Sequence, residues 1–150
     1  MNRVASVLVL CGLAATASAA WGGAKEEVAS ATEQWATQFG ADTPDALVAL
    51  YDTEAIVWGT RSKTLSPDPA AIREYFAAAF RILPEHKVSF GEQRIRVYGD
   101  TAINTGYYTF VLVNRDGKAT TIPARYSFVY VRRDGKWLIV DHHSSPMAAP

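Results

Sequence analysis

The sequence predicts an α+β fold in which a curled antiparallel sheet packs against about three N-terminal helices. The first half of the chain shows helical periodicity, and the second half shows strand-like segments rich in Val, Ile, Tyr, Phe and Thr. Gly- and Asp-containing turns separate those segments, which makes them antiparallel neighbours. Helices followed by a strand meander are typical of α+β layers, with the sheet curling around the helices.

The first two helices are predicted from apolar spacing and from a start signal. In residues 24–39 the apolar side chains recur three and four residues apart, which draws one stripe on a helix. The stripe consists of Val28, Ala31, Trp35 and Phe39. Thr43, Pro44 and Asp45 then offer a cap, a proline and an acid for a short second helix that runs through Tyr51.

A third helix is predicted to start at Asp68-Pro69 and to end at Pro84. Its apolar residues are Ile72, Tyr75, Phe76 and Phe80. The β-rich run 55–58 precedes this helix, and four further strands follow it. Those strands are residues 88–97, 102–113, 120–131 and 136–143, with turns at 98–100, 115–117 and 133–135.

Residues 1–19 are predicted to be a cleavable signal peptide. Arg3 precedes an apolar run at residues 4–15, and residues 17–19 read Ala-Ser-Ala, which suits signal peptidase. One alternative is a membrane anchor, but the run is shorter than the ~20 residues that a bilayer requires. A lipoprotein modified at Cys11 is the other alternative. We expect residues 20–150 to be one domain, periplasmic or secreted, with no membrane attachment and no cysteine.

The overall charge is balanced, with 15 basic and 15 acidic residues and no basic run. This balance favours neither nucleic acid nor an anionic membrane as a partner. The sequence shows no glycine-rich phosphate loop after a strand and no ligand spacing typical of a metal site. We therefore expect no cofactor and no metal.

Five blocks of the sequence resemble the nuclear transport factor 2-like superfamily. They are residues 55–60, 71–76, 104–110, 124–128 and 137–145. The nearest groups are the association domain of calcium/calmodulin-dependent protein kinase II and bacterial SnoaL-like proteins. The resemblance implies a cone-shaped, cystatin-like half-barrel with a pocket between the helices and the concave sheet face. It also implies a homodimer or larger homo-oligomer that pairs through the convex sheet face.

The two faces of the last hairpin can be assigned if residues 133–135 form a three-residue loop, so that Arg132 pairs with Lys136. One face then carries Tyr126, Phe128, Tyr130, Leu138, Val140, His142 and Ser144. The other face carries Arg125, Ser127, Val129, Trp137, Ile139, Asp141 and His143. The first set is expected to line the pocket.

His142 and Asp52 are the candidate catalytic residues. An imidazole titrates near neutral pH, and we expect His142 to lie near the pocket mouth, where it could transfer protons. Asp52 follows the second helix, where related isomerases and cyclases place pocket acids. The alternatives are a hydrogen-bonded core histidine and an aspartate that merely solvates a helix end. His143 points to the other face, so the two histidines cannot share a metal.

The candidate ligand-binding residues come from every wall of the implied cone. They are Tyr51, Trp58, Tyr75, Tyr107, Thr109, Tyr126, Phe128 and Ser144. Thr109, Phe128 and Ser144 are included because the resemblance matches them to pocket-lining positions of the kinase association domain, whose pocket arginines are replaced here. Buried phenol groups usually form hydrogen bonds. We therefore expect an apolar cavity that carries several hydroxyl groups and binds a small, flat organic ligand.

The opposite face is the candidate interface. Arg125, Trp137, Asp141 and His143 are expected there, as a charged centre flanked by apolar side chains that suits contact with a second copy. Three functions remain open from the sequence. They are an exported ligand-binding oligomer, a cofactor-free isomerase, cyclase or dehydratase using acid–base catalysis, and a structural oligomerisation module.

Overall fold

The computed structural model of the protein describes residues 15–82, 85–113 and 116–148. Most of the predicted signal peptide, with Cys11, and the predicted helix end at Pro84 lie outside the described residues. Within them, no helix combines the length and apolar character needed to cross a membrane.

The described residues form three helices and five strands in the expected order. They are α1 (Ala15–Gly40), α2 (Pro44–Val48), β1 (Tyr51–Trp58), α3 (Pro69–Ile82), β2 (Glu85–Tyr98), β3 (Thr101–Val113), β4 (Ala119–Arg133) and β5 (Lys136–Pro146). The curved sheet has the strand order β1-β5-β4-β3-β2, in which β1 runs parallel to β5 and the other pairs are antiparallel. The predicted α+β class is confirmed.

The helix start signals work in different ways. At α3, Asp68 Oδ1 accepts a hydrogen bond from the Ala71 backbone N–H at 2.8 Å, which is the predicted cap. At α2 the Thr43 side chain makes no capping bond, and the start is marked by Pro44 and by Asp45 in the first turn. Tyr51, expected at the end of the second helix, is instead the first residue of β1, because α2 ends at Val48.

The β4–β5 hairpin differs from the expected three-residue loop. Arg133 pairs with Lys136, and Asp134 and Gly135 form a two-residue turn with φ of 49° and 78°. The shortened turn shifts the register, so Trp137 and Ile139 face the helices and are only 8% and 1% exposed. The predicted facing of these two residues, and of Leu138 and Val140 opposite them, is therefore wrong.

A β-bulge then reverses the shift. Tyr130 pairs with Ile139 and Val129 pairs with Asp141, so Val140 is one extra residue in β5. Beyond the bulge, His142 and Ser144 return to the inner face, as the sequence predicted. The missed turn and the missed bulge thus cancel at the end of the strand that carries the candidate site.

Trp35 of α1 lies at the centre of a buried aromatic cluster. Its ring centroid is 5.3 Å from that of Phe39, and 5.4 Å from those of Phe128 and His142. Ring pairs at these separations contribute about 0.5–1.5 kcal/mol each beyond their area burial. The cluster joins α1 to the inner face of the sheet.

Asn104 is the second link between α1 and the sheet. It is fully buried, and its side-chain nitrogen donates to Thr32 Oγ1 at 3.0 Å and to Gln93 Oε1 at 2.8 Å. Tyr126 Oη donates to Asn104 Oδ1 at 3.3 Å. Because these polar groups are hydrogen-bonded to one another, the network fixes the position of α1 on the sheet without leaving any of them unpaired.

Candidate functional site

A cavity of about 400 Å³ opens between α3, the loop that follows β1 and the inner face of the sheet. The wall is mostly apolar and aromatic. It includes Trp35, Phe39, Tyr75, Phe76, Ala79, Tyr108, Phe110 and His142, with Thr60, Arg61 and Ser62 from the loop. A concave, largely apolar site of this size suits a small organic molecule.

His142 lies deep in the cavity wall, whereas the sequence predicted a position near the mouth. It is 3% exposed, and its ring stands edge-on to Phe128 with the centroids 4.4 Å apart. Its Nδ1 is 2.9 Å from Tyr51 Oη, which in turn accepts a hydrogen bond from Trp35 Nε1 at 2.8 Å. The other ring nitrogen, Nε2, has no hydrogen-bond partner among the described residues.

Burial controls the ionisation of this group. Desolvation is the main cause that lowers the pKa of His142 to about 3, and the charge of neighbouring His143 acts in the same direction. The imidazole is therefore neutral at physiological pH. Burial also raises the pKa of Tyr51 well above its ordinary value, although the Trp35 indole N–H opposes that effect.

Ser144 and Tyr108 form a hydroxyl cluster next to the cavity. Tyr108 Oη donates to Ser144 Oγ at 2.5 Å, and the Ser144 hydroxyl also bonds to Thr60 Oγ1. Burial is the main cause that raises the pKa of Tyr108. Sequence reasoning missed Tyr108 because Tyr107 and Tyr108 are adjacent, and only the β2–β3 register decides which of them faces inward.

Gly59 allows the loop to approach α3 closely. A Cβ atom at this position would lie 2.2 Å from the Tyr75 ring, so any other residue would displace that side chain. Tyr75 is thereby held in the cavity wall, where the sequence predicted it. Burial raises its pKa, so it remains a neutral phenol.

The other predicted ligand-binding residues divide between two places. Tyr51, Tyr126, Phe128 and Ser144 face inward, but they lie behind the cavity wall and support residues that line it. Trp58 and Tyr107 are 43% and 52% exposed on the outer face, and Thr109 shares that face because it follows the inward-pointing Tyr108. The predicted pocket facing of Trp58, Tyr107 and Thr109 is therefore wrong.

Asp52 does not line the cavity. Its carboxylate accepts hydrogen bonds from the Glu54 backbone N–H at 3.0 Å and from Arg133 Nε at 3.2 Å. The Glu54 N–H is the main cause that lowers the pKa of Asp52, and Arg133 adds to the effect. This aspartate ties β1 to the β4–β5 turn, and the structure does not place it in an acid–base pair with His142.

The outer sheet face carries Arg125, Asp141 and His143, as the sequence predicted, and Arg125 and His143 line a groove of about 720 Å³. Arg125 Nε donates to Ser145 Oγ at 2.9 Å, and burial raises the pKa of Asp141. Trp137, expected with them, instead faces α1 and donates to Glu27 Oε2 at 2.9 Å. Among the described residues, no three His, Cys, Asp or Glu side chains cluster in a way that could hold a metal ion.

Residues 24–148 match the family described as the calcium/calmodulin dependent protein kinase II association domain. The chain belongs to this family. A candidate association domain of the same description from Xanthomonas campestris is 33% identical, with a TM-score of 0.77 over 83% of this chain and 88% of that one. No curated protein matches the association-domain chain in sequence.

More distant solved structures share the fold of this association domain. A candidate dehydratase of the nuclear transport factor 2-like family from Streptomyces avermitilis is 15% identical, with a TM-score of 0.81 over 86% of this chain and 99% of that one. A candidate aromatic ring hydroxylase from Novosphingobium aromaticivorans is 22% identical, with a TM-score of 0.75 over 83% and 90%. These structures confirm the predicted fold.

Proposed function

We propose that this protein binds a small, flat, largely apolar molecule in the inner cavity. The observation that carries the proposal is a cavity walled by aromatic rings and lined by His142, whose buried ring nitrogen Nε2 has no hydrogen-bond partner among the described residues. The rings offer apolar surface, and the nitrogen offers one polar contact that fixes orientation. Gly59 and Tyr75 give the site a shape that exists without a ligand.

Acid–base catalysis has less support than binding. A proton carrier works best when its pKa lies near the working pH, whereas burial holds the pKa of His142 near 3. Asp52 is engaged with Arg133 and cannot serve as its partner in this arrangement. A SnoaL-like isomerase, cyclase or dehydratase would need a different residue to move protons.

Fluorescence of N-phenyl-1-naphthylamine, which increases in apolar surroundings, tests the proposal. The wild-type protein should bind this dye with saturation, and Ala79→Phe should abolish binding, because Ala79 lines the cavity on α3. Ala70→Phe is the matched control, since Ala70 is exposed on the same helix and does not line the cavity. Equal binding by both variants would show that the dye binds elsewhere.

Export and self-association complete the proposal. The leader pattern of residues 1–19 supports export, and intact mass of the protein from the producing cell tests it. A chain that begins at about Ala20 agrees with export, whereas a mass that retains Cys11 contradicts cleavage. Support for a homodimer comes from the outer face, where Trp58 and Tyr107 are exposed and Tyr107 shares a groove with Arg94 and Arg125.

A further inference from the structure

We infer that the ligand of this cavity is a neutral molecule with a hydrogen-bond acceptor, such as a carbonyl oxygen, which receives the Nε2–H of His142. This inference rests on the proposed binding function and names the chemical class that the cavity selects. It follows from a chain of three buried groups, Trp35, Tyr51 and His142, which we call the donor relay.

The relay decides which nitrogen of His142 carries the proton. Trp35 Nε1 can only donate, so Tyr51 Oη accepts from it. If Tyr51 then donates its own proton to His142 Nδ1, every group of the relay is paired except Nε2–H. If Nδ1 donated to Tyr51 instead, both the phenol proton and the Nε2 lone pair would lack partners in a fully buried place. Because each orphaned buried group is costly, the first arrangement is favoured.

Several other polar groups of the wall are paired or neutral, whereas Nε2 of His142 is buried and has no hydrogen-bond partner among the described residues. The hydroxyls of Thr60, Ser144 and Tyr108 bond to one another, and burial raises the pKa of Tyr75 and Tyr108, so these phenols stay neutral. His142 is neutral as well. The charged Arg61 is exposed at the mouth. An anion at the depth of His142 would lose its hydration without meeting a positive charge. Because burying an unpaired charge is costly, the cavity favours a neutral hydrogen-bond acceptor.

Two probes that differ in one group test this inference. Acetophenone carries C=O where α-methylstyrene carries C=CH₂, so their shapes are nearly equal and only the first can accept a hydrogen bond. Titrations followed through the indole N–H resonance of Trp35 report both probes, since Trp35 lines the cavity. The quantity of interest is the ratio of the two dissociation constants, which is compared between proteins so that differences in probe hydration cancel.

Two variants remove the proposed donor in different ways. His142→Phe deletes the donor, and Tyr51→Phe deletes the group that holds the proton on Nε2. Each should shift the ratio by about tenfold or more toward α-methylstyrene, as expected for one buried hydrogen bond. Tyr130→Phe is the matched control, because it removes a buried phenol that bonds to Thr32 away from the cavity, and it should keep the wild-type ratio.

The outcomes separate this inference from the proposed function. If the dye binds but the ratio is unchanged in His142→Phe and Tyr51→Phe, the cavity binds ligands and the donor relay does not select them. If benzoate binds wild type more tightly than acetophenone, the neutral class is wrong. If neither the dye nor either probe binds, both proposals fail.

A measurement on the wild-type protein covers the case in which both variants unfold. The nitrogen resonances of His142 show which ring atom is protonated. A proton on Nε2, whose resonance moves with acetophenone and not with α-methylstyrene, supports the inference. A proton on Nδ1 overturns it.

Discussion

His142 combines full burial with a neutral charge state. The rings of Phe128 and Trp35 remove water from it, and no carboxylate among the described residues compensates a positive charge there. Adjacent His143 is exposed on the outer face, so the two histidines differ in burial because they lie on opposite sides of the sheet. This residue-level difference leads to a pH dependence.

The folded protein should lose stability as the pH falls from 7 to 5. Unfolded His142 takes up a proton near its ordinary pKa of about 6.5, whereas the folded residue does so only near pH 3. The unfolded state therefore binds more protons in this window, and this residue should remove about 2 kcal/mol of the free energy of unfolding. Urea unfolding at both pH values should show a smaller loss in His142→Gln than in wild type. Equal losses in wild type and in His142→Gln would refute the assignment.

Phe128→Ala should destabilise the fold by roughly 3–5 kcal/mol. Phe128 is fully buried and packs on Trp35, Tyr126 and His142 with ring centroids 4.4–5.4 Å apart. Chemical denaturation measures the change, and a loss below about 1 kcal/mol would mean that the cluster is less tightly packed than described. Val111→Ala, at a half-buried position of β3, should cost much less.

At the scale of elements, the β2–β3 pair bends at a bulge opposite a glycine. Phe90 pairs with Tyr108 and Gln93 pairs with Gly106, so β2 has one extra residue between these pairs. A Cβ at Gly106 would lie 2.1 Å from the Glu92 carbonyl oxygen, whereas one at Gly91 would meet the Tyr107 carbonyl oxygen at an ordinary 3.5 Å. The bulge therefore requires glycine on one strand and tolerates a side chain on the other.

Gly106→Ala should lower the free energy of unfolding by roughly 2–3 kcal/mol, because backbone rather than a flexible side chain must move. Gly91→Ala should change it by less than about 1 kcal/mol. Urea denaturation of both variants makes the comparison. A Gly91→Ala protein less stable than Gly106→Ala would place the bulge elsewhere.

The sequence predicted the order and type of the elements because apolar periodicity and turn residues are local signals. It failed at the strand faces, because a shift of one residue in the strand register moves every side chain to the opposite face of the sheet. The sequence around Asp134 and Gly135 is compatible with a loop of two residues and with a loop of three. No neighbouring residue indicates that Val140 is an extra residue in β5. Trp137 was thus assigned to the wrong face, whereas His142 was assigned to the right one through two errors that cancel.

The candidate site was partly predictable for the same reason. Tyr75 is predicted from aromatic clustering and His142 from its face of the last strand, but Tyr108 is missed and Tyr107 is chosen in its place. The donor relay joins residues from α1, β1 and β5, and such long-range contacts leave no trace in local spacing.

At the scale of the whole molecule, we expect a homodimer through the outer face. Sedimentation velocity at micromolar concentration should give twice the chain mass for wild type. Ser127→Arg should give a monomer, because it adds a positive charge beside Arg125 in the groove, and twofold symmetry would place that charge at the contact twice. Ser30→Arg, at an exposed position of α1 away from the outer face, is the matched control and should remain dimeric. A wild-type monomer would remove the support for assembly.

The parallel pairing of β1 with β5 has a consequence for the order of folding. The three hairpin-type pairs of the sheet join strands that follow one another, whereas Tyr51 of β1 pairs with Ile139 near the end of the chain. Closing so long a loop costs more entropy than closing a turn, so contacts of this kind form slowly. Tyr51 and His142 are 91 residues apart, and their hydrogen bond can form only after that closure. We therefore expect the nascent chain to acquire its hairpins early and its binding site last, once nearly the whole polypeptide is available.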